Sequence, residues 1–146
     1  MEKEEGLDII FFDLLKYEKI EEANALRTKN PAYNPNIKGS KLVGKNLSGI
    51  NLSGANLIDS DLWGANVSKA NLTGALCEGA IFNSGNLSGT NLTSANLRGA
   101  QLKRVNFSGA IFSNTVIEGA NLFGAFFLPV EIEEEYITAF KKSLVH

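Results

Sequence analysis

The stretch GANLIDSDLWGANVSKANLTGA, residues Gly54–Ala75, repeats one five-residue pattern without a break. A large apolar residue fills every fifth position, a small residue often stands two places before it, and asparagine often directly precedes it. Glycine recurs two places after it. The same register continues outward to Ser40 and to Leu128 without an insertion. Its 18 marked positions are Leu42, Leu47, Leu52, Leu57, Leu62, Val67, Leu72, Cys77, Phe82, Leu87, Leu92, Leu97, Leu102, Phe107, Phe112, Ile117, Leu122 and Phe127.

This five-residue period fits neither the 3.6-residue turn of an α-helix nor the two-residue alternation of a flat strand. The leucines therefore cannot share one face of either element. They can share the inside of a coil that turns a corner every five residues, where each short extended piece sends one large and one small side chain inward. The turn then falls at the recurring glycine. The period alone leaves the number of sides per coil open.

The A-N-L units of Gly54–Ala75 resemble the pentapeptide-repeat family, whose consensus is A-(D/N)-L-x-x, and the resemblance extends over residues 40–128. It implies an all-β solenoid, a right-handed quadrilateral β-helix in which four sides close each coil and residues i and i+20 stack. The 18 units would give about 4.5 coils. Asparagines would point outward and form amide columns. Leucine-rich repeats and hexapeptide β-helices are disfavoured because their periods differ.

Both ends break the repeat, and the end coils of a solenoid need a cover for their apolar interior and unpaired edges. The sequence divides into an N-terminal helical cap (1–39), the pentapeptide-repeat β-helix (40–128) and a C-terminal amphipathic helix (129–146), so we expect helical caps at both ends. Apolar residues at helical spacing predict two short N-terminal helices, about 7–16 and 18–28. The stretch ANALRTKNP is similar to the helical caps that precede some bacterial pentapeptide-repeat stacks.

The C-terminal segment predicts an amphipathic helix over about 131–144, following Pro129. Glutamates lead and lysines trail, which suits the helix dipole. One face carries Ile132, Tyr136, Ile137, Phe140 and Leu144. Two interpretations stay open: the helix caps the last coil, or it packs against the same helix of a second copy and forms a homodimer.

Composition restricts the class of protein. The length of 146 residues suits one domain. The 14 basic and 16 acidic residues give a net charge of −2, which disfavours a nucleic-acid partner. No apolar run approaches the ~20 residues of a membrane helix, so we expect no membrane association. The N-terminal sequence MEKEEGLDII is acidic where a secretory signal would be basic, and with the single cysteine this favours a cytoplasmic protein. The resemblance of the N-terminal cap to those of bacterial family members implies a bacterial protein.

Few groups suited to catalysis are present. The one histidine, His146, and the one cysteine, Cys77, cannot form a zinc site, and a Ser-His-Asp triad would depend on the terminal residue. Cys77 falls on an interior position and is interpreted as a small buried hydrophobe. A filled core leaves no cavity for a substrate. We therefore expect a protein that is not an enzyme, with no catalytic residue, no metal and no cofactor.

Departures from the repeat indicate where a partner could bind. Positions that should face outward and be polar hold Trp63, Leu76 and Ile81, and an exposed apolar patch is typical of a partner site. The alternative is that a terminal helix covers these residues. We expect a non-enzymatic structural or protein-interaction module whose protein partner is unknown.

The resembled family also includes quinolone-resistance proteins that mimic DNA and bind gyrase. This gives an alternative function, a DNA-mimicking modulator of a type II topoisomerase, which needs a strongly negative surface. Residues 40–128 instead hold six bases and four acids, a net charge of +2, which disfavours this function. The bases are Lys41, Lys45, Lys69, Arg98, Lys103 and Arg104, and the acids are Asp59, Asp61, Glu78 and Glu118.

Overall fold

Helices lie at both ends of the molecule. The computed structural model describes the backbone of residues 2–143 and the side chains of residues 2–136 and 138. The helices are α1 (Glu2–Lys16), α2 (Ile20–Lys29) and α3 (Val130–Ser143). They lie in the three segments where the sequence predicts helices, although α1 begins five residues before the predicted position 7. Its acidic first turn explains the longer helix, because carboxylates favour the positive end of the helix dipole.

A parallel ladder occupies the middle of the chain. Within the described residues, 15 β-bridges join residue i to residue i+20, from the pair Asn36–Asn56 to the pair Asn106–Phe126. Each bridge is a single residue pair, and none of them extends into a longer strand in this part of the chain. Four bridge columns recur every 20 residues, so each coil has four sides of five residues. The first bridge lies four residues before the predicted start at residue 40, and Ile37 there is buried.

The four sides are named here by the ladder positions of the first coil. Side 1 begins at Asn36, side 2 at Lys41, side 3 at Asn46 and side 4 at Asn51, and each side recurs at every twentieth residue. The N-terminal end of the ladder is called the lower end. A residue number plus 20 therefore gives the residue directly above, at a strand spacing of about 4.8 Å.

Hydrogen bonds connect each coil to both neighbours. On side 3, the Asn66 amide donates down to the Lys45 carbonyl at 2.9 Å, and the Val67 amide donates up to the Asn86 carbonyl at 2.8 Å. At the preceding corner, the Ala65 amide donates to the Leu62 carbonyl at 3.0 Å and closes a four-residue turn. The third residue of that turn, Gly64, has a φ of +66°, the left-handed region where glycine is favoured.

Large and small side chains alternate inside the coils, as the period predicts. Leu62, Val67 and Leu72 are fully buried, and Ala65 and Ala70 fit between them at the corners. Phe127, the last marked position, is the exception, and its predicted inward orientation is wrong: its side chain is 67% exposed. The chain leaves the ladder there, with a φ of +58° at Phe127, and turns toward α3.

Outward asparagines stabilise their own corners more than they join coils. Eleven Asn or Asp residues at ladder positions accept, through Oδ1, a hydrogen bond from the amide two residues later, at 2.9–3.3 Å. This Asx turn satisfies an amide that points away from both neighbouring coils. Of the predicted amide columns, the described residues show one direct bond, from Asn66 Nδ2 to Asn46 Oδ1 at 3.2 Å.

The lower edge of the ladder is closed by side chains of the N-terminal segment. The first coil has no coil beneath it, so its ladder amides need other acceptors. Three of the four amides receive them: Asn36 N donates to Asp8 Oδ1 at 2.8 Å, Asn46 N to Glu18 Oε1 at 2.7 Å, and Asn51 N to Asn24 Oδ1 at 2.8 Å. Arg27 adds a bond from Nη2 to the Ser53 carbonyl at 2.6 Å. The segment before the repeat is thus bound to the coil edge by polar groups.

Replacing Asp8 by alanine should destabilise the protein by about 2 kcal/mol, because Asp8 accepts from both the Asn36 amide and the Tyr33 hydroxyl. Asp13→Ala is the matched control, since Asp13 lies on the same helix and is exposed. Its effect should stay within about 0.5 kcal/mol. Urea unfolding followed by circular dichroism measures both. Equal losses for the two variants would contradict the role of Asp8 at the coil edge.

Candidate interaction surface

The structure brings together two of the three residues proposed for a partner patch. Trp63 lies at the far corner of side 2 and is 53% exposed. Ile81 is half-buried on the same side, directly above Asp61, and thus one coil above the tryptophan. Leu76 is 42% exposed but belongs to side 1, so the width of side 2 separates it from Trp63.

Two further exposed apolar residues share the corner column of Trp63. Val43, 20 residues earlier, lies one coil below and is 48% exposed, and Phe123 lies three coils above and is 69% exposed. The patch predicted from the sequence includes neither Phe123 nor Val43. The 20-residue column containing positions 43, 63, 83, 103 and 123 would have grouped them, because residues at this spacing stack.

Charge is distributed unevenly among the four sides. Side 2 holds four bases and one acid, side 1 two bases and three acids, side 3 one base, and side 4 no charged residue. The bases of side 2 are Lys41, Lys45, Lys103 and Arg104, and its acid is Asp61. On side 1, Arg98 pairs with Glu118 at 2.8 Å. None of the side 2 bases forms an ion pair with another described residue.

The upper end of the ladder carries an apolar rim. Each side of the last full turn has one exposed large apolar side chain: Ile111, Val116, Phe123 and Phe126. Above it, α3 packs part of its apolar face on the coil, since Ile132 is buried and Tyr136 contacts the core. Of the other residues proposed for a dimer helix, the side chains of Ile137 and Phe140, and all of Leu144, lie outside the described residues.

The buried side chains of Cys77 and Tyr33 have shifted pKa values. Burial raises the pKa of the Cys77 thiol to about 12, which keeps it protonated and unreactive at neutral pH. Burial and the bond to Asp8 raise the pKa of Tyr33. The described residues contain no cluster of His, Cys, Asp or Glu that could hold a metal ion. None of their helices is long and apolar enough to cross a membrane.

Comparison with known proteins identifies the repeat. A family model described as pentapeptide repeats matches in eight copies, over residues 36–68, 60–99, 70–109 and 100–127. Together these ranges cover 36–127, more than half of the 146 residues. No curated protein sequence matches the chain.

Solved structures agree with this match. A pentapeptide repeat protein from the Arabidopsis thaliana thylakoid lumen is 24% identical, with a TM-score of 0.66 over 71% of this chain and 75% of that one. Rfr23, a pentapeptide repeat protein from the cyanobacterium Cyanothece 51142, is 26% identical, with a TM-score of 0.57 over 64% of this chain and 63% of that one. These similarities support the fold of the ladder, and they do not identify a partner.

Iodoacetamide at about pH 8 should label Cys77 in the native protein at least about 100-fold more slowly than in urea, because the buried group stays a protonated thiol. The free energy of unfolding should also fall as the pH rises above about 8.5, since only the unfolded state then loses the thiol proton. Cys77→Ala serves as the control and should lack this added pH dependence. Labelling at equal rates in the two states would show that the core is open.

Proposed function

Because the chain belongs to the pentapeptide-repeat family, we propose that it is a non-enzymatic module that binds a partner protein through side chains on the outside of its coils. We take its fold to be a right-handed quadrilateral β-helix of about 4.5 coils with helical caps at both ends. The 20-residue bridges and the side-chain bonds from α1 (Asp8) and α2 (Asn24) to the first coil support this description.

The observation that carries the proposal is the exposure of apolar residues at outward positions. At most ladder positions an Asn or Asp closes its own corner, whereas Leu76 and Ile81 lack the oxygen for that bond. Each replacement forgoes a hydrogen bond that is typically worth about 1 kcal/mol. Leu76 nevertheless stays 42% exposed, and Trp63, at a corner position, stays 53% exposed. Apolar side chains that remain exposed on the outside of the coils are suited to contact a partner.

The alternative function, modulation of a type II topoisomerase by DNA mimicry, finds no support in the charges. A DNA mimic needs negative charge along its length to compete for a basic DNA-binding surface. Sides 2 and 3 of this ladder are net positive, and side 4 has no charge. Side 1 has a single excess negative charge.

We also propose that two copies form a homodimer through the C-terminal helix. The apolar rim, together with the exposed Phe127 just before α3 and Val130 at its start, leaves apolar surface at the upper end. At the lower end, polar bonds from α1, α2 and the turn between them occupy the coil edge. A contact between upper ends would therefore close as a pair and would not extend into a fibre.

Affinity capture on the immobilised full chain tests the interaction module. At least one protein should be retained by the wild type and lost with the double variant Trp63→Ala/Ile81→Asn. The variant should fold, because asparagine at position 81 can close its corner as it does at other ladder positions. Ile111→Asn is the matched control, an exposed apolar ladder residue on side 4. Identical partner sets for wild type and double variant would overturn the patch.

Light scattering tests the homodimer. The intact chain should have twice the monomer mass of 15.8 kDa, and a chain ending at Pro129 should have the monomer mass. Since the shortened chain could unfold at its upper end, Ile137→Lys/Phe140→Lys in the full chain provides a second variant, and it should also be monomeric. A monomeric intact chain at high concentration would rule out the homodimer.

A further inference from the structure

We propose that side 2 is a docking surface for an acidic, amphipathic protein segment, bound along the axis of the ladder. The side 2 surface consists of Lys41, Val43, Trp63, Ile81, Lys103 and Arg104. The proposal rests on the interaction function proposed above and names the chemistry of its partner.

The order of these residues along the ladder is cation, apolar, cation. Lys41 and Val43 lie on the first coil, Trp63 on the second, Ile81 on the third, and Lys103 with Arg104 on the fourth. Three steps between coils separate the two cationic ends by about 14 Å. The exposed Trp63 and the half-buried Ile81 lie on the two coils between these ends. A complementary segment therefore carries acids at two places and apolar residues between them.

Side 2 contains little negative charge that could neutralise these cations. Its one acid, Asp61, accepts a hydrogen bond from the Trp63 amide at 3.1 Å, so one carboxylate oxygen already closes its own corner. Lys41, Lys103 and Arg104 are exposed and pair with no described carboxylate. Side 1, next to it, has an excess acid and an internal ion pair, Arg98–Glu118. The charge pattern thus selects side 2 for an acidic partner.

The spacing also indicates the form of the segment. An α-helix rises 1.5 Å per residue, so acids about nine or ten residues apart would reach both cationic ends. Apolar residues at helical spacing between them would cover Trp63 and Ile81. Tryptophan is the residue type most often found to dominate binding energy, and flanking charges mainly set orientation and association rate.

A nucleic acid fits this surface less well than a protein segment. Its phosphates repeat at every nucleotide and favour a continuous row of cations. On side 2 the middle coils present Trp63, Ile81 and the carboxylate of Asp61 between the cationic ends. Phosphates crossing these coils would meet an apolar strip and a negative charge.

Peptide display against the immobilised full chain, followed by titration of synthetic peptides, tests the proposal. Trp63 is the only tryptophan, so tryptophan-free peptides can be titrated through its fluorescence. Selected peptides should carry net negative charge and an apolar centre, and their affinity should fall as salt rises. The variant Lys103→Gln/Arg104→Gly should weaken binding about tenfold. Lys69→Gly is the control, because Lys69 and Arg104 share an exposed corner position with positive φ, but Lys69 lies on side 3.

The outcomes separate this proposal from the general interaction function. Selected peptides that are neutral or basic, or that bind both variants equally, overturn the acidic partner but leave the interaction function standing. A selection that enriches no peptide, together with unchanged capture by Trp63→Ala/Ile81→Asn, overturns both. A single-stranded oligonucleotide that binds more tightly than every selected peptide, and loses affinity in Lys103→Gln/Arg104→Gly, assigns side 2 to nucleic acid and overturns the proposal.

Discussion

Parallel pairing of each residue with the residue 20 positions later is the interaction on which the rest of the molecule depends. One ladder residue per side donates its amide to the coil below, and the next residue donates to the coil above. The ladder hydrogen bonds of a side therefore all go to neighbouring coils. Because every bridge is a single pair, neither a coil nor a side has an independent sheet to stabilise it. Stacking also stacks the inward side chains, and this explains why the apolar rows and the hydrogen-bond ladder form together.

This dependence on neighbours makes the two ends special. At the lower end, carboxylate and amide oxygens of Asp8, Glu18 and Asn24 replace the carbonyls of a missing coil. At the upper end, the amides of Ile117 and Leu122 point toward the place of a further coil and donate to no other described residue. The apolar rim surrounds that edge. The lower end is therefore finished by polar bonds within the chain, whereas the upper end retains both apolar surface and pairing capacity.

The outside of the coils is freer to vary than the inside. Replacing an outward ladder asparagine changes one local hydrogen bond and leaves the inward rows and the coil-to-coil bonds in place. Side 2 illustrates this freedom, since Lys41, Asp61, Ile81, Gln101 and Asn121 occupy equivalent ladder positions. The neighbouring corner column of side 2 shows compensation: Asn83 Oδ1 accepts from the Lys103 amide at 2.8 Å, where Gln101 makes no Asx turn. A rigid frame with variable side chains suits a binding surface.

The five-residue period by itself determined which residues from Leu42 to Leu122 face inward, where the corners fall, and that helices begin where the repeat ends. These features follow from local spacing and turn chemistry. Tertiary structure alone decided that asparagine oxygens bond within their own corners, that Phe127 turns outward, and that Trp63 shares a side with Ile81 while Leu76 does not. Only it shows that Asp8, Glu18 and Asn24 reach the first coil. The Asx turns join residues two positions apart, and the period does not show whether an asparagine oxygen bonds there or to the next coil. The other outcomes depend on which groups lie above or below a residue, and residues about 20 or more positions away supply those groups.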